Sequence, residues 1–211
     1  MWIENAWYVA AWCDDIGSDA IFARTFLGVP VIIYRTNDGS LTALEDRCCH
    51  RLAPLSKGRL EGDAVRCMYH GLKFAPTGEC IEVPGEERIP QKFRVRRFPV
   101  IEKQTLVWIW MGDDEQAEPD EAIDWPYLDD KAWPYADGYL HYTAPYQLII
   151  DNLLDFSHLP YTHEKTIGTS NYDEQRPRIE HPSFGIRIEH TVDDTPLAPM
   201  NQKFAAFEGN V

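Results

Sequence analysis

The sequence lacks the features that direct a protein to a membrane, to export or to nucleic acid. It has no uninterrupted apolar stretch of the roughly 18 residues that span a bilayer, and residues 1–5 (MWIEN) offer no cationic stretch followed by an apolar run. Cations are scarce, with 20 Lys and Arg against 34 Asp and Glu and a formal net charge of −14. Because an acidic surface is repelled by phosphate, we expect no nucleic-acid partner and no membrane partner. Because the sequence shows neither an export signal nor a long apolar stretch, we expect a cytoplasmic location.

Cysteines are few and odd in number. The five lie at positions 13, 48, 49, 67 and 80, two of them adjacent, which fits a disulfide framework poorly and favours metal binding. Hydrophobic residues make up 44% and charged residues 26% of the chain, as in ordinary globular proteins. We interpret Cys13, Cys49 and Cys80 as ordinary buried or half-buried thiols.

The composition changes along the chain and indicates two domains. Short β-rich runs bounded by turn signals occupy residues 21–26, 29–34, 41–44, 93–98 and 106–110. Asp38-Gly39 lies between two of these runs and predicts a tight hairpin turn. Residues 112–121 then crowd acidic side chains around a proline, which is typical of a boundary.

The second half of the chain mixes two kinds of pattern. An apolar, helix-like run covers residues 147–156, and strand-like sequence covers residues 177–209. We therefore predict an α+β fold. Its parts are an all-β domain over residues 1–115, an acidic linker over 116–130 and a mixed domain over 131–211.

Two short segments each pair one cysteine with one histidine. The first holds Cys48 and His50, and the second, after sixteen intervening residues, holds Cys67 and His70. A Rieske [2Fe–2S] cluster needs this donor set, because two histidines replace two cysteines on one iron and raise the reduction potential. A structural zinc site is the alternative, although zinc fingers place paired cysteines before paired histidines.

A second group of acids and imidazoles lies in residues 151–163 (DNLLDFSHLPYTH). On a helix, Asp151, Asp155 and His158 share one face because they are four and three residues apart. His163 does not, but Pro160 should break the helix, and a bend would bring both histidines to one metal. Two histidines and one carboxylate form the facial triad of iron(II) oxygenases. The alternative is a set of polar residues on a half-buried helix.

These motifs resemble those of Rieske non-heme iron oxygenases. Residues 48–56 (CCHRLAPLS) and 67–74 (CMYHGLKF) are similar to the family's cluster loops, except that Cys49 stands where the family usually has proline. Residues 151–163 are similar to its iron-binding stretch. With residues 5–10 (NAWYVA), the chain looks most like the vanillate and dicamba O-demethylase branch.

The resemblance implies a fold and a set of ligands. It implies an N-terminal all-β Rieske domain followed by the first part of a helix-grip-like catalytic domain. The four paired cysteines and histidines would hold the [2Fe–2S] cluster, and His158 and His163 would bind a mononuclear Fe(II). Asp155 would be a bridging residue, not a ligand, that contacts His70 of a neighbouring subunit in a homotrimer.

The family's third iron ligand is an aspartate that lies much later in a longer chain, and no residue here matches its context. Asp193 and Asp194 come too early. We therefore expect the catalytic domain to be represented by its N-terminal portion only.

The resemblance also implies an activity: the oxygenase component of a monooxygenase that uses O2 and an aromatic substrate. Electrons would come from NADH or NADPH through a reductase or ferredoxin. The implied reaction is O-demethylation of a methoxylated aromatic acid such as vanillate. Two alternatives stay open: hydroxylation of another methyl or ring carbon, as in toluenesulfonate methyl-monooxygenases, and a Rieske electron carrier without catalysis of its own.

Overall fold

The computed structural model describes residues 2–169, 176–183 and 185–204, and its internal contacts divide the chain into two units, Met1–Gly138 and Tyr139–Val211. In the first unit, antiparallel strands form three sheets. The first sheet contains β1 (Ala6–Trp12), β11 (Leu106–Met111) and β10 (Val100–Lys103). The second contains β2 (Phe22–Phe26), β3 (Val29–Arg35), β4 (Leu41–Glu45) and β9 (Arg97–Phe98). The third contains β5 (Arg59–Glu61), β6 (Ala64–Arg66), β7 (Lys73–Phe74) and β8 (Cys80–Glu82).

Strand β3 lies between two hydrophobic cores. Its side chains alternate between the faces of the sheet, so Val31 and Ile33 pack in one core cluster and Ile32 and Tyr34 in the other. All four are fully buried, which explains why this strand is an unbroken apolar run in the sequence. The second of these cores also contains the side chains that support the candidate cluster site.

The third sheet positions two loops. The first loop, residues 46–58, leads from β4 into β5, and the second loop, residues 67–72, connects β6 to β7. Phe74 and Val65, which pair across β6 and β7, are fully buried in the second core. The second loop is therefore anchored between two short strands whose apolar side chains are buried.

In the second unit, α1 (Tyr146–Leu154) is followed by a 3-10 turn over Phe156–His158 and by the short helix α2 (Leu159–Thr162). Strands β12 (Arg178–Glu180) and β13 (Arg187–Glu189) pair antiparallel, and α3 covers Pro199–Phe204. Among the described residues, no helix is both long enough and apolar enough to cross a membrane.

The α+β class is confirmed, with a mostly-β first unit. The Asp38-Gly39 hairpin is also confirmed, because Gly39 has a φ of 88° and β3 pairs with β4 on either side of it. The run over 93–98 is a strand only at Arg97–Phe98; Val95 instead bonds to Gly78, so the segment changes partners midway.

Three other details of the secondary structure differ from expectation. The helix expected over 147–156 ends at Leu154. The strand-like region over 177–209 contains the helix α3 after its two strands, and residues 205–209 lie outside the described ranges. The sheet β5 to β8 was not predicted, because its strands are two or three residues long. The domain bounds at 115 and 130 stay a prediction.

Candidate cluster and iron sites

The two loops that carry the cysteine and histidine pairs close in the same way. The N–H of Cys48 donates to the carbonyl of the residue five positions later at 2.8 Å, and the N–H of Leu52 donates to the Cys48 carbonyl at 2.9 Å. Cys67 makes the same pair of bonds, at 2.8 Å to Leu72 and 3.1 Å from Gly71. The residue four positions after each cysteine has positive φ, 58° at Leu52 and 74° at Gly71.

This closure places the sulfur and imidazole ligand candidates at different depths. The side chains of Cys48 and Cys67 belong to the second core and are 1% and 2% exposed. The imidazoles of His50 and His70 are exposed, with ring centroids 4.5 Å apart and planes at 63°. The loops therefore bring two thiols together below the surface and two imidazoles together at it.

Burial sets the protonation state of the Cys48 thiol. Burial raises the pKa of the Cys48 thiol to about 12, and the hydrogen-bonded thiol of Cys67 also raises it. Such a thiol is protonated at neutral pH unless a cation faces it, so its use as a thiolate ligand requires the charge of a metal.

The arrangement of the donor side chains favours a cluster over a single zinc ion. Within the described ranges, no three His, Cys, Asp or Glu side chains are placed to hold a single metal ion. A structural zinc ion needs four such donors around one point. In a Rieske cluster, one iron takes two cysteines and the other takes two histidines. Paired thiols and separately paired imidazoles fit the second arrangement.

A cavity of about 590 Å³ adjoins the imidazoles. His50 and His70 line it together with Pro84, Glu86 and other residues of the segment after β8. Pro84 also packs against the second loop, because a Cβ on Gly71 would lie 2.9 Å from its Cγ. At this position, positive φ together with the close contact favours glycine.

The iron-site residues lie on a segment that bends earlier than predicted. α1 ends before Asp155, which has φ −93° and ψ 96° and begins the 3-10 turn that contains His158. Asp155 and His158 therefore do not continue the helical face of Asp151, and that prediction was wrong. Pro160 does not break a helix but lies in the first turn of α2, where proline is tolerated.

The bend nevertheless brings the two histidines together. The ring centroids of His158 and His163 are 5.3 Å apart, with planes at 64°. The carbonyl of His163 accepts from the N–H groups of Thr166 and Gly168, each at 2.9 Å, and its own N–H donates to Leu159 at 3.1 Å. Two imidazoles at this separation can share one metal ion. Among the described residues, no carboxylate is placed to act as the third ligand beside them.

Asp155 is held as a carboxylate. Its Oδ1 accepts from the hydroxyl of Ser157 at 2.5 Å and from the Ser157 N–H at 2.9 Å. These bonds, together with nearby His158, lower the pKa of the Asp155 carboxyl below its ordinary value. An exposed and ionised carboxylate can accept a hydrogen bond from an imidazole of another chain.

Sequence reasoning missed Ser157, which orients Asp155, and Arg66, which contacts the second loop. The Asp-Phe-Ser order was a usable signal, since Asp and Ser favour helix caps over helix interiors. Arg66 offered no such signal, because its partner Glu82 lies sixteen residues away in the sequence.

Comparisons with known proteins identify two family matches along the chain. The family described as Rieske [2Fe-2S] domain matches residues 6–99, and the family described as vanillate O-demethylase oxygenase C-terminal domain matches residues 142–211. The iron-sulfur subunit TsaM1 of the toluene-4-sulfonate monooxygenase system of Comamonas testosteroni is 47% identical over 99% of this chain and 61% of its own length. The oxygenase component of dicamba O-demethylase from Stenotrophomonas maltophilia is 41% identical over 81% of this chain and 50% of its own length.

A solved structure has the same fold. The crystal structure of dicamba monooxygenase bound to dicamba superposes with a TM-score of 0.87 and 36% identity, over 95% of this chain and 60% of that one. The chain thus spans between half and about three fifths of the length of these relatives. Since the two family matches cover most of the chain and the relatives are oxygenase components, the chain belongs to the family of Rieske oxygenase components.

Proposed function

We propose that this chain is part of the oxygenase component of a Rieske monooxygenase that oxidises a methyl group on an aromatic acid. The observation that carries the proposal is the presence of two separate histidine pairs, His50 with His70 and His158 with His163, each close enough to share a metal centre. The first pair is completed by two buried thiols, whereas the second lies beside an ionised carboxylate. That combination suits a cluster that passes electrons and a mononuclear iron that receives them.

At the cluster, we assign Cys48, His50, Cys67 and His70 as the four ligands. The buried cysteines would hold one iron of the cluster away from solvent, and the exposed histidines would hold the other near the surface. An electron can therefore leave the domain through the imidazole edges.

At the second site, we assign His158 and His163 as two ligands of Fe(II), which supplies the O2 chemistry when bound. A carboxylate from outside the described residues would complete the triad. Asp155 is assigned as a bridging residue that accepts a hydrogen bond from His70 of a neighbouring subunit in a homotrimer. Ser157 holds that carboxylate in place.

The substrate has two candidate classes. For a methoxylated aromatic acid, as the names of the dicamba and vanillate relatives indicate for those proteins, oxidation of the methyl group releases formaldehyde and a phenol. For a ring methyl group, the product is a benzylic alcohol. The 47% identity to the toluene-4-sulfonate subunit supports the second class as a full candidate beside O-demethylation.

Metal content tests the architecture. We expect about three irons per chain in protein purified without chelator, two in a Rieske cluster and one at the histidine pair. About two irons would instead indicate an electron carrier, or a portion of the oxygenase whose catalytic site cannot hold metal without its third ligand. Zinc without iron, in a colourless protein, would contradict the cluster assignment.

Product analysis then separates the substrate classes. Vanillate, dicamba and toluene-4-sulfonate would each be supplied with O2, NADPH, a ferredoxin reductase and a plant-type [2Fe–2S] ferredoxin. Formaldehyde from vanillate or dicamba supports O-demethylation, and an alcohol from toluene-4-sulfonate supports methyl hydroxylation. If an iron-replete protein oxidises none of the three, the proposed substrate class is wrong.

A further inference from the structure

Arg66 is the last residue of β6, and its side chain makes four hydrogen bonds beside the second cluster loop. Its Nε donates to Glu61 Oε1 at 2.7 Å, and its Nη1 donates to the Gly71 carbonyl, also at 2.7 Å. Its Nη1 and Nη2 donate to the two oxygens of Glu82, each at 2.9 Å. The side chain is only 14% exposed, so these bonds are partly shielded from water.

These partners join three parts of the candidate cluster site. Cys67 follows Arg66 directly, and the carbonyl that Arg66 holds belongs to Gly71, which follows His70. Glu82 ends β8, just before the Pro84 segment that packs on Gly71 and lines the cavity beside the imidazoles. One guanidinium therefore fixes both ends of the second loop and the wall beside it. A lysine could not do so, because it lacks the planar fork that binds a carboxylate through two parallel bonds.

The charges in this network also bear on the cluster electrostatically. Reduction adds one negative charge to the cluster, so a nearby cation favours the reduced form and a nearby anion disfavours it. Arg66 lies between two carboxylates, Glu61 and Glu82. Arg59 and Lys73 also pair with Glu61, but neither pairs with both carboxylates. Removing the positive charge of Arg66 and removing the negative charge of Glu82 should consequently move the reduction potential in opposite directions.

We propose that Arg66 is a positioning residue for the Rieske cluster: it holds the loop of residues 67–72 against β8, and with Glu82 it sets the reduction potential. The proposal rests on the assignment of Cys67 and His70 as cluster ligands. It adds two residues, Arg66 and Glu82, that are not cluster ligands. Their effect on the reduction potential can be measured in protein that still binds the cluster.

The test is a redox titration of the purified protein by cluster absorbance and electron paramagnetic resonance. We expect Arg66→Gln to lower the potential and Glu82→Gln to raise it. Arg66→Lys keeps the charge, so it should restore most of the potential lost in Arg66→Gln while its resonance lines broaden, since the loop is no longer held. Arg59→Gln is the matched control, because Arg59 bonds the same Glu61 from a position that is 65% exposed. It should shift the potential less than Arg66→Gln.

Opposite shifts from the Arg66 and Glu82 variants support the proposal. Shifts in the same direction, or no larger than that of Arg59→Gln, overturn it, because a merely structural role predicts no charge-dependent sign. If Arg66→Gln cannot retain a cluster, Glu82→Gln and Arg66→Lys still decide the question. A wild-type protein without a Rieske resonance would contradict the proposed function instead, so the two failures are distinguishable.

Discussion

The two candidate metal centres differ in what supports their donors. Cys48 and Cys67 are part of a closed hydrophobic core, and each loop is tied by its own backbone bonds. His158 and His163 follow a helix, α1, that has no buried residue and whose leucines 153 and 154 are 65% and 55% exposed. The first centre is therefore built by its own unit. The geometry of the second centre is set by the bend that follows α1. We expect this centre to depend also on groups outside the described residues.

The largest expected effect tests whether the first centre stands by itself. Cys48→Ser should abolish the cluster absorbance and remove about two irons per chain, because the oxygen ligand cannot replace a buried thiolate. The matched control is Cys49→Ser, since Cys49 is adjacent, half-buried and not assigned as a ligand. Iron analysis with visible spectroscopy measures both. Retention of the cluster in Cys48→Ser, or its loss in Cys49→Ser, would reverse the ligand assignment.

The second prediction concerns the independence of the iron site. His158→Ala should remove about one iron per chain and reduce product formation at least about 100-fold, while the Rieske resonance stays unchanged. His181→Ala serves as the control, because His181 is exposed and lies outside the histidine pair. Should the cluster signal disappear together with the mononuclear iron, the two centres are coupled in folding and the contrast between them fails.

The third prediction compares equivalent positions of the two cluster loops. Gly71→Ala should destabilise the first unit by about 2 kcal/mol, because alanine at positive φ is strained and its Cβ would meet Pro84. Leu52 already occupies the left-handed region, so Leu52→Gly should stay within about 1 kcal/mol of the wild type. Denaturant unfolding of the cluster-loaded protein measures both. Equal effects would mean that the segment after β8 does not constrain the second loop.

The ligand candidates were predictable because their spacing is local. A cysteine and a histidine two or three residues apart define each cluster loop, and no long-range information is needed to recognise them. The β5 to β8 sheet was not predictable, since strands of two or three residues are too short to show alternation. Arg66 and Glu82 meet only because β6, β7 and β8 are neighbours in that sheet.

The second site shows a different limit of prediction from the sequence. The spacing of Asp151, Asp155 and His158 fits a helix, yet the chain leaves the helix at Asp155 because its carboxylate caps the following turn through Ser157. Local capping overrode the periodicity. The proximity of His158 and His163 was correctly predicted, but for the wrong reason, since Pro160 lies in the first turn of α2 instead of ending α1.

The smallest expected effect concerns acid stability and again separates the units. Hydrogen bonds from Arg66 and Arg59 lower the pKa of the Glu61 carboxyl from 4.5 to about 2. A lowered folded-state pKa stabilises the fold above the ordinary value of 4.5, and this contribution is lost as the pH falls towards 2. Glu61→Gln should therefore show a smaller drop in urea midpoint between pH 6 and pH 3.5 than the wild type. The described carboxylates of the second unit that form ion pairs, Glu180 and Glu189, do so with exposed arginines and should contribute little.

Tryptophan fluorescence makes this measurement specific to one unit, because all seven tryptophans lie between residues 2 and 133. Far-ultraviolet circular dichroism, which also reports the helices of the second unit, provides the comparison. If Glu61→Gln loses as much stability in acid as the wild type, the Arg66 network does not stabilise the first unit through this carboxylate. If Glu61→Gln changes the acid dependence of the fluorescence transition only, the charge network stabilises the first unit, which carries the cluster site, and does not stabilise the second unit.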